Sequence, residues 1–184
     1  MGHREDLLDG AVRCLREKGY AHTTARDIVA VSRTNLGSIG YHYGSLSALL
    51  TAAVMKAIGD FGDQLASAAS VDPAAPPLER FEQFWTRVID SFGENRQIWL
   101  ATFDVFGVGE REPAVRAALA QGLQDGRMLW ATLFAGPGLD EETAYAIGSI
   151  HQALLSGVLV QWLIDPDRAP SARDLTRGVA AILG

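Results

Sequence analysis

Two short stretches of the chain carry most of its recognisable chemistry. The first is Thr23-Thr24-Ala25-Arg26-Asp27-Ile28-Val29-Ala30, and the second is Asn35-Leu36-Gly37-Ser38-Ile39-Gly40-Tyr41-His42-Tyr43-Gly44-Ser45. Hydroxyl, guanidinium, imidazole and phenol groups at this density suit a polyanion: they donate to phosphate oxygens, and a short side chain near a helix start can reach base edges. The candidate DNA-contacting residues are Thr23, Thr24, Arg26, Arg33, Asn35, Ser38, Tyr41, His42 and Ser45. Their spacing needs two short helices and a turn. Thr23 and Thr24 offer hydroxyls to the free N–H groups of a helix start, and Asp27 stands three residues after Thr24 as in a capping box. Ile28 and Val31 give that helix one buried stripe, and Ser32-Arg33-Thr34 interrupts the apolar pattern as a turn does. Asn35 suits the N-cap of a second helix about two turns long. Gly37, Ser38 and Gly40 keep the second helix thin enough for close approach. Tyr41 and Tyr43 have two readings, as wet aromatic tips or as rings closing a small core.

The run from Leu7 to about Ala53 closely resembles the DNA-binding domain of the TetR family of transcriptional regulators. The resemblance rests on Gly19-Tyr20, Thr24-x-x-Asp27-Ile28, Gly37-Ser38-Ile39-Gly40-Tyr41-His42-Tyr43-Gly44-Ser45 and Ala48-Leu49-Leu50. It departs from the family pattern at two places. Arg33, Thr34 and Asn35 stand where Gly-Val-Ser is usual across the turn, and Leu46 stands where a phosphate-gripping lysine usually follows the Gly-Ser pair. Either Arg33 substitutes for that contact or non-specific affinity is weaker. The resemblance implies a homodimer, whose two recognition helices would enter major grooves about 34 Å apart on a palindromic double-stranded operator.

Composition is compatible with this. The 184 residues are nearly half apolar and carry a net charge of −6, which suits a folded chain with one sizeable core or two small ones. The charge is uneven: through Lys56 seven basic residues face five acidic ones, so the remainder carries −8. A polyanion is directed to the N-terminal end. The single Cys14, set among Ala11, Val12 and Leu15, reads as a buried thiol, and a cytoplasmic location is expected. The longest apolar stretch, Ala153 to Ile164, contains Ser156, Gly157 and Gln161 and falls short of the roughly 20 residues of a span, so no membrane partner is expected. The four histidines, one cysteine and absence of a Gly-rich phosphate loop make no enzyme motif, and no cofactor or metal is expected.

Helical rather than alternating periodicity runs through nearly every segment, and the fold class is all-α with about nine helices. A helix-turn-helix DNA-binding domain over 1–47 is followed by a helical effector-binding and dimerisation domain over 48–184. The first helix spans about His3 to Lys18, with Gly19 in the C′ position that favours left-handed geometry. A long fourth helix from Leu46 joins the two parts. Ser70-Val71-Asp72-Pro73-Ala74-Ala75-Pro76-Pro77 and Gly136-Pro137-Gly138 are the strong breaks. Pro113 opens one helix, Asp140 caps the next, and Ser171-Ala172-Arg173-Asp174 makes a capping box for the last.

Trp85, Trp99, Thr102, Phe103, Phe106, Trp130, Phe134 and His151 form the candidate pocket for a small apolar or aromatic effector, against the alternative of ordinary core filling. His151 also reads as a satisfied core or interface histidine. The helix from Glu141 is apolar almost all round and must be covered on several sides. A four-helix dimer interface through Ile147, Leu154, Leu155, Val158, Trp162, Leu175, Val179 and Ile182 would do so. The resulting expectation is a repressor released from its operator by the effector. The alternatives are an all-α enzyme and a ligand-binding dimer with weak or no operator recognition.

Overall fold

The computed structural model describes residues 2–68, 75–134 and 138–184. Among them are nine helices and no strand: α1 (His3–Lys18), α2 (Ala25–Ser32), α3 (Leu36–Tyr43), α4 (Leu46–Ala68), α5 (Pro77–Asp90), α6 (Arg96–Gly109), α7 (Pro113–Phe134), α8 (Glu141–Ile164) and α9 (Ala172–Leu183). The helices group into two compact units that do not follow chain order. One contains the residues up to Phe61 together with Asn95–Gln124, and the other contains Gly62–Glu94 and Asp125–Gly184. Helices α4 and α7 are continuous across the divisions at Phe61 and Gln124. Most of the proline-rich break, 69–74, and most of the Gly-Pro-Gly break lie outside the described residues.

In the first unit, Leu7, Ala11, Cys14 and Leu15 of α1 recur at helical spacing and meet Ile28, Ile39, Leu49, Leu50 and Val54 in one buried cluster with Ile98, Ala101 and Val105 of α6. Helices α1 and α2 approach closely at Gly10, where an added Cβ would stand 2.9 Å from Ser32 Cβ and 3.2 Å from the Ile28 carbonyl oxygen. Gly19 ends α1 with its N–H on the Leu15 carbonyl. Its φ is positive as expected, but a ψ of 175° puts it beyond the left-handed helical region, in backbone space that is essentially glycine's alone.

In the second unit, α5 buries Phe84, Trp85 and Val88, and α9 packs against it. Trp162 of α8 meets Phe92 edge-on at 5.6 Å between ring centres. Gly148 brings α8 onto the backbone of α7: a Cβ there would stand 2.1 Å from the Arg127 carbonyl oxygen. At 24 residues, α8 is the one helix among the described residues long and apolar enough to cross a bilayer. Core helices of folded domains share that composition, and α8 buries Gly148, His151, Val158 and Leu159 within its unit.

Candidate nucleic-acid interface and aromatic cluster

Local hydrogen bonds fix the α2–turn–α3 segment. Thr24 is the N-cap of α2, its Oγ1 accepting the Asp27 N–H at 3.2 Å while the Asp27 carboxylate accepts the Thr24 N–H at 3.0 Å. Lys18 donates to the same carboxylate from α1. That bond, then the Thr24 hydroxyl and N–H, hold the Asp27 carboxyl well below the usual carboxylate range. The turn begins at Arg33, whose φ of 56° and ψ of 35° are left-handed. This is the only positive φ outside glycine among the described residues. Val29 offers its carbonyl to the N–H groups of both Arg33 and Thr34, and Asn35 Oδ1 accepts the Ser38 N–H at 3.0 Å to cap α3. Each end of the turn is therefore closed by the chain itself, which leaves a two-turn helix rigidly mounted.

The sequence candidates separate by exposure. Tyr41 is 86% exposed, with its ring edge-on to His42 at 4.8 Å. Thr24, Arg26, Arg33, Asn35 and Ser45 are also exposed, and His42 is half-buried. Thr23 and Ser38 face inward. Thr23 is buried and donates its hydroxyl to the Gly19 carbonyl at 2.7 Å, so it ties α2 to the end of α1. Ser38 lies beside Ile39 on the buried side of α3, and the exposed positions of that helix are Leu36, Gly37, Gly40 and Tyr41. Tyr43 belongs to the core-closing group: its hydroxyl donates to the Arg4 carbonyl at 2.8 Å, with the Arg4 guanidinium 5.3 Å above its ring. Leu46 packs partly buried against the core. Ser45 Oγ accepts the Ala48 N–H at the start of α4, and Ser47 donates to both oxygens of Glu112 at 3.0 and 3.1 Å.

The second unit gathers six rings from three helices. Phe81, Phe84 and Trp85 come from α5, Trp130 and Phe134 from α7, and His151 from α8. His151 lies nearly parallel to Phe134 at 3.8 Å between centres, to Trp130 at 5.9 Å and to Trp85 at 6.0 Å. Phe84 meets Trp130 and Phe134 edge-on at 5.4 and 4.7 Å. The Trp130 indole N–H donates to Gln152 Oε1 at 3.0 Å. His151 is 6% exposed, and burial pushes its pKa down to about 4, so its imidazole is neutral at neutral pH. Its Nδ1 and the Trp85 Nε1 are both buried with no hydrogen-bond partner among the described residues. The burial of His151 agrees with a core histidine, while its Nδ1 is not satisfied from among the described residues. A separate open hollow of about 450 Å³ lies along the polar side of α5, lined by Glu79, Glu82, Gln83, Thr86 and Arg87. Among the described residues, no group of three metal-binding side chains comes together.

The N-terminal geometry has a counterpart in known proteins. Residues 7–53 match the model of bacterial regulatory proteins of the tetR family, and residues 76–184, more than half of the chain, match the tetracyclin repressor-like C-terminal domain. The chain belongs to the TetR family of transcriptional regulators. Members of this family are DNA-binding transcription factors rather than enzymes. Among solved structures, the chain is similar to the multidrug binding protein EbrR complexed with proflavin, at 25% identity and a TM-score of 0.67 over all of both chains. The same protein complexed with imidazole matches at 24% identity and a TM-score of 0.68, over 98% of this chain and 88% of that one. A TetR transcription regulator from Haloarcula marismortui matches at 17% identity and a TM-score of 0.64, over 97% and 94%. No curated protein matches the chain.

In this TetR-family regulator the eight pocket candidates divide between the units. Trp85, Trp130, Phe134 and His151 come together, joined by Phe81 and Phe84, which the sequence alone does not single out as pocket residues. Trp99, Thr102, Phe103 and Phe106 belong to the first unit. There Trp99 packs edge-on against Phe61 at 5.1 Å, Phe103 against Phe106 at 5.6 Å, and the Thr102 hydroxyl donates to the Ile98 carbonyl. The interface candidates divide as well. Val158 is buried inside its own unit and Trp162 packs on Phe92. Ile147, Leu154, Leu155, Leu175 and Val179 are half-buried, and Ile182 is exposed. The outward stripe of the regulator's α8 is Ala146, Ile150, Ala153, Gly157, Val160 and Ile164, with Ile150 at 61% and Ile164 at 78% exposure. Its steps of four and three residues are the helix-packing period, a signal that the all-round apolarity of α8 hid in the sequence.

Proposed function

We propose that this regulator is a one-component repressor that binds a palindromic operator as a homodimer and leaves it when a small apolar or aromatic effector enters the second unit. The observation that carries the reading is the α2–turn–α3 mount with Tyr41 projecting from its end, in a chain of the TetR family. Residues 1–47 form the reader and 48–184 the effector-binding and dimerisation part. Tyr41, His42, Arg26, Arg33, Thr24, Asn35 and Ser45 meet the DNA, while Thr23 and Ser38 hold the mount from inside. Trp85, Trp130 and His151 receive the effector, with Phe134 the partly exposed ring at their edge. That EbrR, a structural relative, binds the aromatic compound proflavin supports an aromatic effector. The outward α8 stripe, with Ile182 and Leu183 of α9, forms the two-fold interface, because exposed apolar residues at that spacing need a partner. Continuous α4 and α7 carry the effector's influence to the reader. We assign the protein to the cytoplasm, where a transcriptional regulator meets its DNA.

The test is selection of bound duplexes from a random library, followed by fluorescence anisotropy at several salt concentrations. The reading expects an enriched palindrome, two chains per duplex and affinity that falls steeply with salt. Failure to enrich any sequence, with salt-insensitive residual binding, would leave a ligand-binding dimer in its place. Binding and effector are reciprocally linked, so operator DNA must weaken effector affinity by the same factor as the effector weakens operator affinity.

A further inference from the structure

The aromatic cluster holds two polar atoms whose hydrogen-bonding capacity folding leaves unused. Trp85 is fully buried and its indole nitrogen is a donor only, yet among the described residues nothing accepts from it. His151 Nδ1 is in the same state, whereas the neighbouring Trp130 N–H is satisfied by Gln152. Two such atoms in one cluster of parallel rings are a cost that ordinary core packing avoids. The Trp85 N–H was stripped of water when the chain folded, so a ligand acceptor arriving there gains a hydrogen bond without dehydrating the donor.

The rings supply the rest of the recognition. Trp85, Trp130 and His151 lie within 9 to 19° of parallel in pairs, which defines a common plane direction for a flat guest. Phe134 is the one ring at face-stacking distance from His151 among the described residues, and it is partly exposed at the last position of α7. The ring neighbours of His151 are Phe81, Trp85, Trp130 and Phe134, none of which carries charge. A cationic guest would lack a counter-charge in that shell.

We propose that this cluster takes a flat, uncharged heteroaromatic ligand whose ring replaces Phe134 over His151 and whose acceptor atom engages the Trp85 indole N–H. The proposal rests on the reading of the second unit as the effector site and narrows it to one ligand chemistry.

Calorimetric titration of the full chain at neutral pH with naphthalene, quinoline, isoquinoline and the 1-methylquinolinium cation tests it. The first three share a shape and differ in one ring nitrogen. One of the two aza compounds should bind the wild-type protein about tenfold more tightly than naphthalene, the equivalent of one recovered hydrogen bond. In Trp85→Phe that preference should shrink below about twofold, and Phe134→Ala should bind all three neutral compounds more tightly. The cation should bind at least about tenfold more weakly than quinoline. Equal affinity for the three neutral compounds, or a preference for the cation, overturns this ligand chemistry but leaves an aromatic effector site standing. Absence of binding by all four compounds to both the wild type and Phe134→Ala overturns the ligand chemistry and the effector site together. The wild-type comparison stands even if Trp85→Phe does not fold.

Discussion

Arg33 allows the backbone and the side chain of one residue to be tested apart. Its φ of 56° places a Cβ-bearing residue in left-handed space, which costs an L-residue roughly 1–2 kcal/mol. Glycine removes that strain but loses about 0.5–1 kcal/mol to the greater freedom of the unfolded chain. Arg33→Gly should therefore raise stability by about 0.5–1 kcal/mol, or roughly 1–4 °C in Tm for a chain of this size. Arg33→Ala keeps the strain and should leave Tm near wild type. Both variants lack the guanidinium, which is exposed and has no ion-pair partner among the described residues. If it grips a phosphate in place of the lysine that Leu46 displaces, both variants should lower operator affinity about tenfold. Both should also flatten the salt dependence by close to one ion. Scanning calorimetry and anisotropy on the same three proteins provide the two readouts. A Tm that falls in Arg33→Gly would refute the strain argument, and an unchanged salt slope in both variants would refute the phosphate contact.

Gly148→Ala drives a Cβ into the Arg127 carbonyl, which as backbone cannot swing away; a loss of about 1–3 kcal/mol is expected in chemical denaturation. Ile150→Glu puts a charge on the outward α8 stripe and should shift sedimentation from dimer to monomer while far-ultraviolet dichroism stays unchanged. Tyr41→Ala should weaken operator binding with little change in Tm, because the ring is almost wholly exposed. For His151 the folded pKa of about 4 lies below the ordinary 6.5, so between these values the unfolded chain binds the extra proton and stability falls as pH falls. The full contribution, of the order of 3 kcal/mol, is present above about pH 6.5 and lost toward pH 4; His151→Leu should flatten the stability profile across that window.

What the sequence disclosed, and what it did not, follows from the range of the interaction concerned. Thr24 with Asp27, Asn35 with Ser38 and Ser171 with Asp174 are partners three residues apart, so the caps of α2, α3 and α9 were legible from spacing alone. Gly and Pro bounded α1, α5 and α7 for equally local reasons. The inward placement of Ser38 is not legible, because an eight-residue helix offers too few positions to define its buried face. The division of the aromatic residues between units is not legible either, because the compact units cut across chain order: α6 and the first half of α7 pack with the N-terminal helices, which no local pattern reports. On α8 nearly every position is apolar, so periodicity could not distinguish Val158, inside the unit, from Ile150, outside it. Unused hydrogen-bonding capacity at Trp85 and His151 is a property of three helices meeting and has no signature in one.

The two departures from the family pattern have a common consequence for how the reader holds DNA. Leu46 turns the first position of α4 into a core contact, and the neighbouring Ser47 gives its hydroxyl to the Glu112 carboxylate. The start of α4 thus presents a bound carboxylate near the hydroxyls of Ser45 and Ser47 where the family pattern supplies a cation. A carboxylate repels phosphate and weakens whatever attraction the N–H groups at the start of α4 supply. Positive charge is instead available at Arg26 and Arg33, on the helix and turn that precede α3. With net charge of only +2 through Lys56, fewer phosphates can be neutralised than a strongly basic reader would neutralise. On our proposal, discrimination among operators then depends more heavily on the exposed face of α3, where Gly37 and Gly40 leave the backbone open to close approach and Leu36 and Tyr41 are the large side chains that reach outward.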